Sequence, residues 1–247
     1  MKWFKQNWLW VVVNIIAVLP LVMMLNSFNV DFSGEGLPQI TVEQPAFRER
    51  EFDRDEAPST TGVAASDGSA EDSPESHGSR ERSPYGFLVH TTGEWGIRWL
   101  VFSLTCTPLY ILFGWRSPLG LKKSLGLYAF LYAALHFLFF LIDEGWLATF
   151  SEFNFIVGLL SLLIMLPLAL TSTDWAMKKL SKNWKFMHRA AYAAGVLAVL
   201  HLAFLGEGSW LLYGVLLTIG FIARVPQVRK SILGLRRRVF KHNPVPA

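Results

Sequence analysis

Six apolar segments, each close to the length of a membrane-spanning helix, constrain the fold of this 247-residue chain more than any other feature. A helix needs about 20 apolar residues to cross a hydrocarbon core about 30 Å thick. Backbone groups in lipid must be hydrogen-bonded within the protein, so each span should be helical. The sequence therefore predicts an all-α fold, a six-helix transmembrane bundle in the lipid bilayer. Its segments are residues 8–26, 89–113, 124–142, 154–172, 187–205 and 210–225.

The positions of Lys and Arg predict how this bundle is oriented. Outside residues 28–84, seventeen of the eighteen basic residues lie at alternate ends of the six segments. The short loops at the opposite ends, around Asp143-Glu144 and around Glu207, contain no Lys or Arg. By the positive-inside rule, the basic side faces the cytoplasm. We therefore predict a multi-pass protein with both termini in the cytoplasm.

Charge and hydropathy divide the chain into four regions. Residues 28–84 hold thirteen of the nineteen Asp and Glu but only five Arg, and the run 49–83 has almost no large apolar side chains to offset its ordering entropy. We predict an uncleaved first transmembrane helix over 1–27, because the segment is long and lacks a small-residue cleavage site. A disordered acidic extracytoplasmic loop follows over 28–84, then a five-helix transmembrane core over 85–228 and a basic cytoplasmic tail over 229–247. No basic stripe is interleaved with aromatic residues, which excludes a nucleic-acid binder.

Two histidines lie at matching depth inside apolar segments. His136 precedes Asp143 by seven residues, and His201 precedes Glu207 by six. At about 1.5 Å per residue, both rings lie roughly 9–10 Å below the outer ends of two parallel helices. A histidine in lipid needs a partner. Either each ring is a core residue bonded to a carbonyl, or both are axial ligands of one haem iron, which would pass electrons and leave no open site for oxygen.

A third histidine, His188, lies thirteen residues before His201 on what we predict to be one continuous apolar helix, Trp184–Leu205. In a straight helix it is about 20 Å from His201 and faces roughly 220° away from it. A second haem at this level would need a ligand near residues 122–124, where the sequence has no histidine. His188 is a candidate ligand of an inner haem, a contact for a flavin or quinone, or a residue of the basic interface.

Two more candidates lie at the outer end of the second segment. Arg98 follows Glu94 by four residues, the spacing of an ion pair on one helix face. Arg98, with His90, is also placed to hold a haem propionate in the outer layer. The two roles are compatible.

Neither a Gly-rich phosphate loop nor a dinucleotide fingerprint follows a predicted strand. The single cysteine, Cys106, cannot form an intrachain disulfide or a multi-cysteine metal centre. If electrons cross this bundle, they come from a separate protein, a bound flavin or a quinol. Whether the chain is itself an enzyme stays open, because no substrate chemistry beyond electron transfer is indicated.

Several motifs occur in the order found in a known family. They are His90-Thr91-Thr92-Gly93-Glu94-Trp95-Gly96-Ile97-Arg98 with Thr107-Pro108-Leu109, Leu125-Gly126-Leu127 with Leu135-His136, Leu170-Thr171-Ser172-Thr173, and Met187-His188-Arg189 with Leu200-His201. Residues 85–235 and the first helix thereby resemble the MsrQ/YedZ-like haem-binding membrane subunits of the ferric-reductase-like transmembrane superfamily. Where that family often has Arg-Pro-Tyr, this chain has Phe153-Asn154-Phe155.

The resemblance implies transmembrane electron transfer through haem b in the bacterial cytoplasmic (inner) membrane. His136, His188 and His201 match histidines tied to haem in that family, which also binds FMN. The implied donor is the quinol pool or a cytoplasmic flavin reductase. The implied acceptor is a periplasmic molybdopterin reductase that repairs protein methionine sulfoxide.

Two alternatives remain open beside this function. One is a stand-alone ferric or quinone reductase that reduces its acceptor directly at the outer face. The other is a non-redox structural membrane protein whose histidines only pack.

Overall fold

The computed structural model describes residues 2–31, 39–42, 85–115, 117–206 and 208–241. Within these ranges the fold is an all-α membrane bundle, as predicted, with one short two-stranded ladder between the first two helices. The elements are α1 (Lys2–Asn26), β1 (Phe28–Asp31), β2 (Gln39–Val42), α2 (Gly86–Phe113), α3 (Ser117–Asp143), a 3₁₀ turn (Leu147–Phe150), α4 (Phe153–Leu170), α5 (Asp174–Met187), α6 (Ala190–Phe204), α7 (Trp210–Arg224) and α8 (Pro226–Lys241).

Four of the described helices, α1 to α4, are each long and apolar enough to cross a membrane. The pairs α5–α6 and α7–α8 pass the same test only together, and they are bent by 50° and 81°. Counting each bent pair as one span gives the six spans predicted. Because α6 and α7 have only 15 residues each, they are about 22 Å long, less than a typical hydrocarbon core.

The prediction that Trp184–Leu205 is one continuous helix is wrong. The helix breaks at His188 and Arg189, which separate α5 from α6. The physical reason is the composition of α5, which is rich in lysine, and lysine side chains are costly to place in hydrocarbon. The chain therefore bends after α5, and only α6 continues the apolar span. The 220° rotation expected between His188 and His201 in a straight helix therefore does not apply.

The core of the bundle is built on the α2–α3 hairpin, which packs along most of its length. Gly114, at φ 79°, ends α2 in the left-handed conformation that glycine adopts without strain, and its N–H bonds to the carbonyl of Tyr110. The guanidinium of Arg236 on α8 donates to that same carbonyl at 2.9 Å. The tail helix therefore packs back on the basic end of the hairpin. The predicted tail boundary, residue 229, falls inside α8.

Helix α1 is attached to the hairpin by two side chains of α3. The Tyr132 hydroxyl donates to the carbonyl of Ala17 at 2.6 Å, and the Tyr128 hydroxyl donates to Asn14. Both Ala17 and Tyr132 are fully buried. Since a buried hydroxyl is stable only with a partner, these bonds fix where α1 lies on α3.

Two short segments of the predicted acidic loop form the β1–β2 ladder. In an antiparallel register, Phe28 pairs with Val42 and Asp31 pairs with Gln39. The two segments are rich in residues with strand preference. The acidic run 49–83 and the last residues of the basic tail, 242–247, lie outside the described residues.

Candidate functional site

The structure brings together the two histidines that the sequence places at equal depth. His136 on α3 and His201 on α6 face each other with ring centroids 6.3 Å apart and planes at 73°. Both rings line one cavity of about 360 Å³ between α2, α3, α4 and α6. This volume is in the range of cofactor pockets.

Each ring is held by a backbone carbonyl of a neighbouring helix. His136 Nδ1 lies 2.8 Å from the carbonyl oxygen of Val89, and His201 Nδ1 lies 2.7 Å from that of Asn154. A carbonyl can only accept, so each neutral imidazole carries its proton on Nδ1 and keeps a lone pair on Nε2. Metal-binding histidines are oriented in this way.

The walls beside the two rings are made of small residues. Along the cavity α2 presents Gly93 and Gly96, while α4 presents Gly158 and Ser161. Alanines of α3 and α6 line the same space. Small side chains on four helices leave a slot for a flat, largely apolar group beside the imidazoles.

The distance between the two rings is compatible with a haem iron held between them. Two metal–imidazole bonds of ~2 Å, with each ring centre about 1 Å behind its nitrogen, would separate the centroids by roughly 6 Å, against the 6.3 Å found. Within the described ranges, no three His, Cys, Asp or Glu side chains converge to hold a metal ion by themselves. Further ligands would have to come from the cofactor, and a porphyrin supplies four nitrogens.

His90 and Arg98 occupy different environments at the outer end of α2. His90 and Glu94 line the outer part of the cavity, as do Asp143 and Glu144. Arg98 is not part of the cavity wall; its guanidinium pairs with Glu94 at 3.2 Å and lies over the Trp95 ring. The Glu94–Arg98 ion pair is therefore present. The structure brings His90 to the cavity but not Arg98, and a propionate contact by either residue stays a prediction.

His188 lines a second cavity of about 380 Å³ on the opposite, basic side of the bundle. Its ring stacks on Trp184 at 3.9 Å, and its Nδ1 lies 3.1 Å from the Trp184 carbonyl. Four cationic residues also line this cavity: Lys122, Lys123, Lys185 and Arg189. The sequence places residues 122–124 at the level of His188 but does not predict that Lys122 and Lys123 line a site there, because no second histidine stands among them.

Comparison with known proteins identifies the family. The model of the family described as "Ferric reductase like transmembrane component" matches residues 92–199. A "Protein-methionine-sulfoxide reductase heme-binding subunit MsrQ" of Herminiimonas arsenicoxydans is 32% identical over 160 residues, which cover 58% of this chain and 72% of that protein. The chain belongs to the MsrQ family.

Two other proteins with the same name support this assignment. The MsrQ of Bordetella parapertussis is 42% identical over 126 residues, and that of Rhodospirillum rubrum is 38% identical over 127. Each match covers 48% of this chain and 61% of the relative, so the chain spans less than two thirds of these MsrQ proteins. No solved structure matches the chain. The family resemblance inferred from the motifs is thus confirmed.

Proposed function

We propose that this member of the MsrQ family binds one haem b between His136 and His201 and carries electrons through it across the bacterial cytoplasmic membrane. The observation that carries the proposal is the pair of carbonyl-bound imidazoles that face each other across an apolar slot. The relatives are named heme-binding subunits, which agrees with this use of the pair.

The protein's own contribution is to hold two neutral imidazoles in a dry, fixed arrangement. The carbonyls of Val89 and Asn154 set the tautomer, so both Nε2 atoms are free to act as ligands. Phe140 and Phe155 line the cavity and help exclude water; their ring centroids lie 4.8 Å apart. A haem held by His136 and His201 would supply one-electron transfer.

The inner cavity is the proposed entry for electrons. Its lysines and arginine suit an anionic or polar redox partner, either the phosphate of FMN or the head of a quinone. Leu100 and Met165 line both cavities, so a donor in the inner one would be separated from the haem site by those side chains. A quinol or a cytoplasmic flavin reductase would deliver electrons there.

The outer end of the haem cavity is the proposed exit. The relatives' name points to a protein-methionine-sulfoxide reductase as the acceptor. The motif resemblance implies that this acceptor is a periplasmic molybdopterin enzyme. A stand-alone ferric reductase is the second candidate, because the carboxylates of Glu94, Asp143 and Glu144 at this end would attract a cationic acceptor. Co-purification with a molybdopterin subunit favours the first function. Reduction of a ferric chelate by the chain alone favours the second.

A reduced-minus-oxidised spectrum of the purified protein tests haem binding directly. We expect b-type bands that disappear in His136→Ala and in His201→Ala and persist in His188→Ala, because that ring lines the inner cavity. Bands that survive both of the first two substitutions would refute the ligand assignment. A colourless wild-type protein from haem-replete cells would favour the structural alternative.

A further inference from the structure

The two histidines are seated by the same arrangement of residues, repeated at a constant distance along the chain. Val89 and His136, bonded through the carbonyl and Nδ1, are 47 residues apart, and so are Asn154 and His201. The glycine facing each ring lies four residues after the residue whose carbonyl accepts the bond, at Gly93 in the first case and Gly158 in the second. Carbonyl, glycine and histidine therefore all recur after 65 residues.

Each glycine lies directly under an imidazole. A Cβ atom at Gly93 would stand 3.0 Å from His136 Nδ1 and 3.1 Å from its Cε1. A Cβ at Gly158 would stand 3.0 Å from both Nδ1 and Cε1 of His201. Carbon atoms in favourable contact are about 3.5–4.0 Å apart, so a methyl group at either position would push the ring away from the helix.

The position of the carbonyl explains why a glycine is needed here. In an α-helix the carbonyl of residue i points toward the N–H of residue i+4. An imidazole that bonds to the carbonyl of Val89 must therefore lie over residue 93, and one that bonds to Asn154 must lie over residue 158. The space under the ring, not backbone conformation, requires glycine, since neither residue has a positive φ.

We propose that Gly93 and Gly158 are positioning residues for the two axial histidines, and that the hairpin α2–α3 and the pair α4–α6 are two copies of one histidine-seating unit. In each unit one helix supplies the carbonyl and a flat glycine surface, and the other supplies the imidazole. The inference rests on the proposed haem ligation. Alanine stabilises a helix more than glycine does. Glycine at these two positions therefore lowers helix stability but leaves room for the rings.

The test substitutes each glycine by alanine in the full chain. In Gly93→Ala and in Gly158→Ala we expect the haem-to-protein ratio to fall about tenfold or more, the range typical when groups that orient metal ligands are lost. The haem that remains should show a shifted low-spin electron paramagnetic resonance (EPR) signal, because the displaced ring meets the iron at another angle. Wild-type haem content and an unchanged signal in both variants would overturn the inference.

One control variant separates ring placement from general damage to the helices. Gly126→Ala, on α3 of the same hairpin, would place its Cβ 3.5 Å from Ser103 Oγ, an ordinary contact, and should leave haem content unchanged. If Gly126→Ala loses haem as completely as Gly93→Ala, ring placement is not the cause and the inference is overturned.

A second experiment covers the case in which Gly93→Ala does not accumulate as folded protein. In His136→Gly, added imidazole can take the vacant ligand position, and a free ring can shift away from a new methyl group. We expect Gly93→Ala combined with His136→Gly to recover folded, low-spin protein in the presence of imidazole. Continued failure to fold would overturn the inference. A wild-type protein without haem would instead refute the proposed function.

Discussion

The outer and inner levels of the bundle differ in chemistry: α3 and α6 supply the histidines of the outer level, whereas the inner level is made by α3 and by the break between α5 and α6. At the outer level His136 and His201 face each other, each bonded to a backbone carbonyl. Thirteen residues before each of them stand Lys123 and His188. Lys123 is paired with Asp174 at 2.9 Å, and His188 is stacked on Trp184.

The difference shows what each level can bind. Two neutral imidazoles can ligate one iron from opposite sides, whereas an ammonium group has no lone pair to offer. The inner level therefore has one histidine where two equivalent ligands would be needed. His188 is better suited to contact a polar or anionic donor in the basic inner cavity than to hold a second haem of the outer kind. We therefore expect one haem per chain.

The largest effect should come from removing an outer ligand. His136→Ala and His201→Ala should each lower the haem-to-protein ratio by more than about tenfold, because loss of an axial nitrogen exceeds the cost of losing a group that only orients one. The pyridine haemochrome assay measures this ratio. Full haem content in either variant would contradict the assignment of that histidine as a haem ligand.

His188→Ala should have a smaller effect, of a different kind. We expect the haem-to-protein ratio to stay near one, because the ring belongs to the inner cavity. The rate of haem reduction by a water-soluble quinol should fall about tenfold. This is the change in donor binding expected if one ring contact between His188 and the quinol head is lost. Stopped-flow absorbance at the reduced haem band measures this rate. A loss of haem in His188→Ala would contradict this, because it would show that the inner level also holds a haem.

The inner lysines should change donor affinity more than haem content. Lys122→Ala and Lys123→Ala should each raise the half-saturating donor concentration roughly tenfold for a donor that accepts a charge-assisted hydrogen bond. Lys179→Ala is the matched control, because Lys179 lies over Trp175 and does not line the inner cavity. Equal effects of all three substitutions would indicate a nonspecific loss of positive charge.

The smallest effect should come from Asp174. The hydrogen bond and charge of Lys123 lower the pKa of this exposed carboxyl below its usual value. Because the folded-state pKa is depressed, the pair contributes above the unfolded pKa and its contribution is lost as pH falls through the folded pKa. Asp174→Asn should therefore lower the melting temperature slightly at neutral pH and not in acid, since exposed ion pairs contribute little. A larger change in acid than at neutral pH would contradict this sign.

The spans and the pairing of the outer histidines could be predicted from the sequence. The length of an apolar segment and the number of residues between a histidine and the next charged loop can both be counted along the chain. The break between α5 and α6 could not, since neither proline nor glycine stands at His188 and Arg189 to mark it. The contacts that orient the two rings could not be predicted either. Each ring bonds to a backbone carbonyl, which any residue supplies, and lies over a glycine, which has no side chain. Val89 and Asn154 therefore have the same role although their side chains differ.

The EPR spectrum of the oxidised, purified protein tests the central claim most directly. His136 and His201, with ring planes at 73°, predict one low-spin ferric signal per chain, strongly anisotropic because the two imidazole planes are far from parallel. A high-spin signal as the main species, or two distinct low-spin signals of equal weight, would contradict a single haem held between these two histidines.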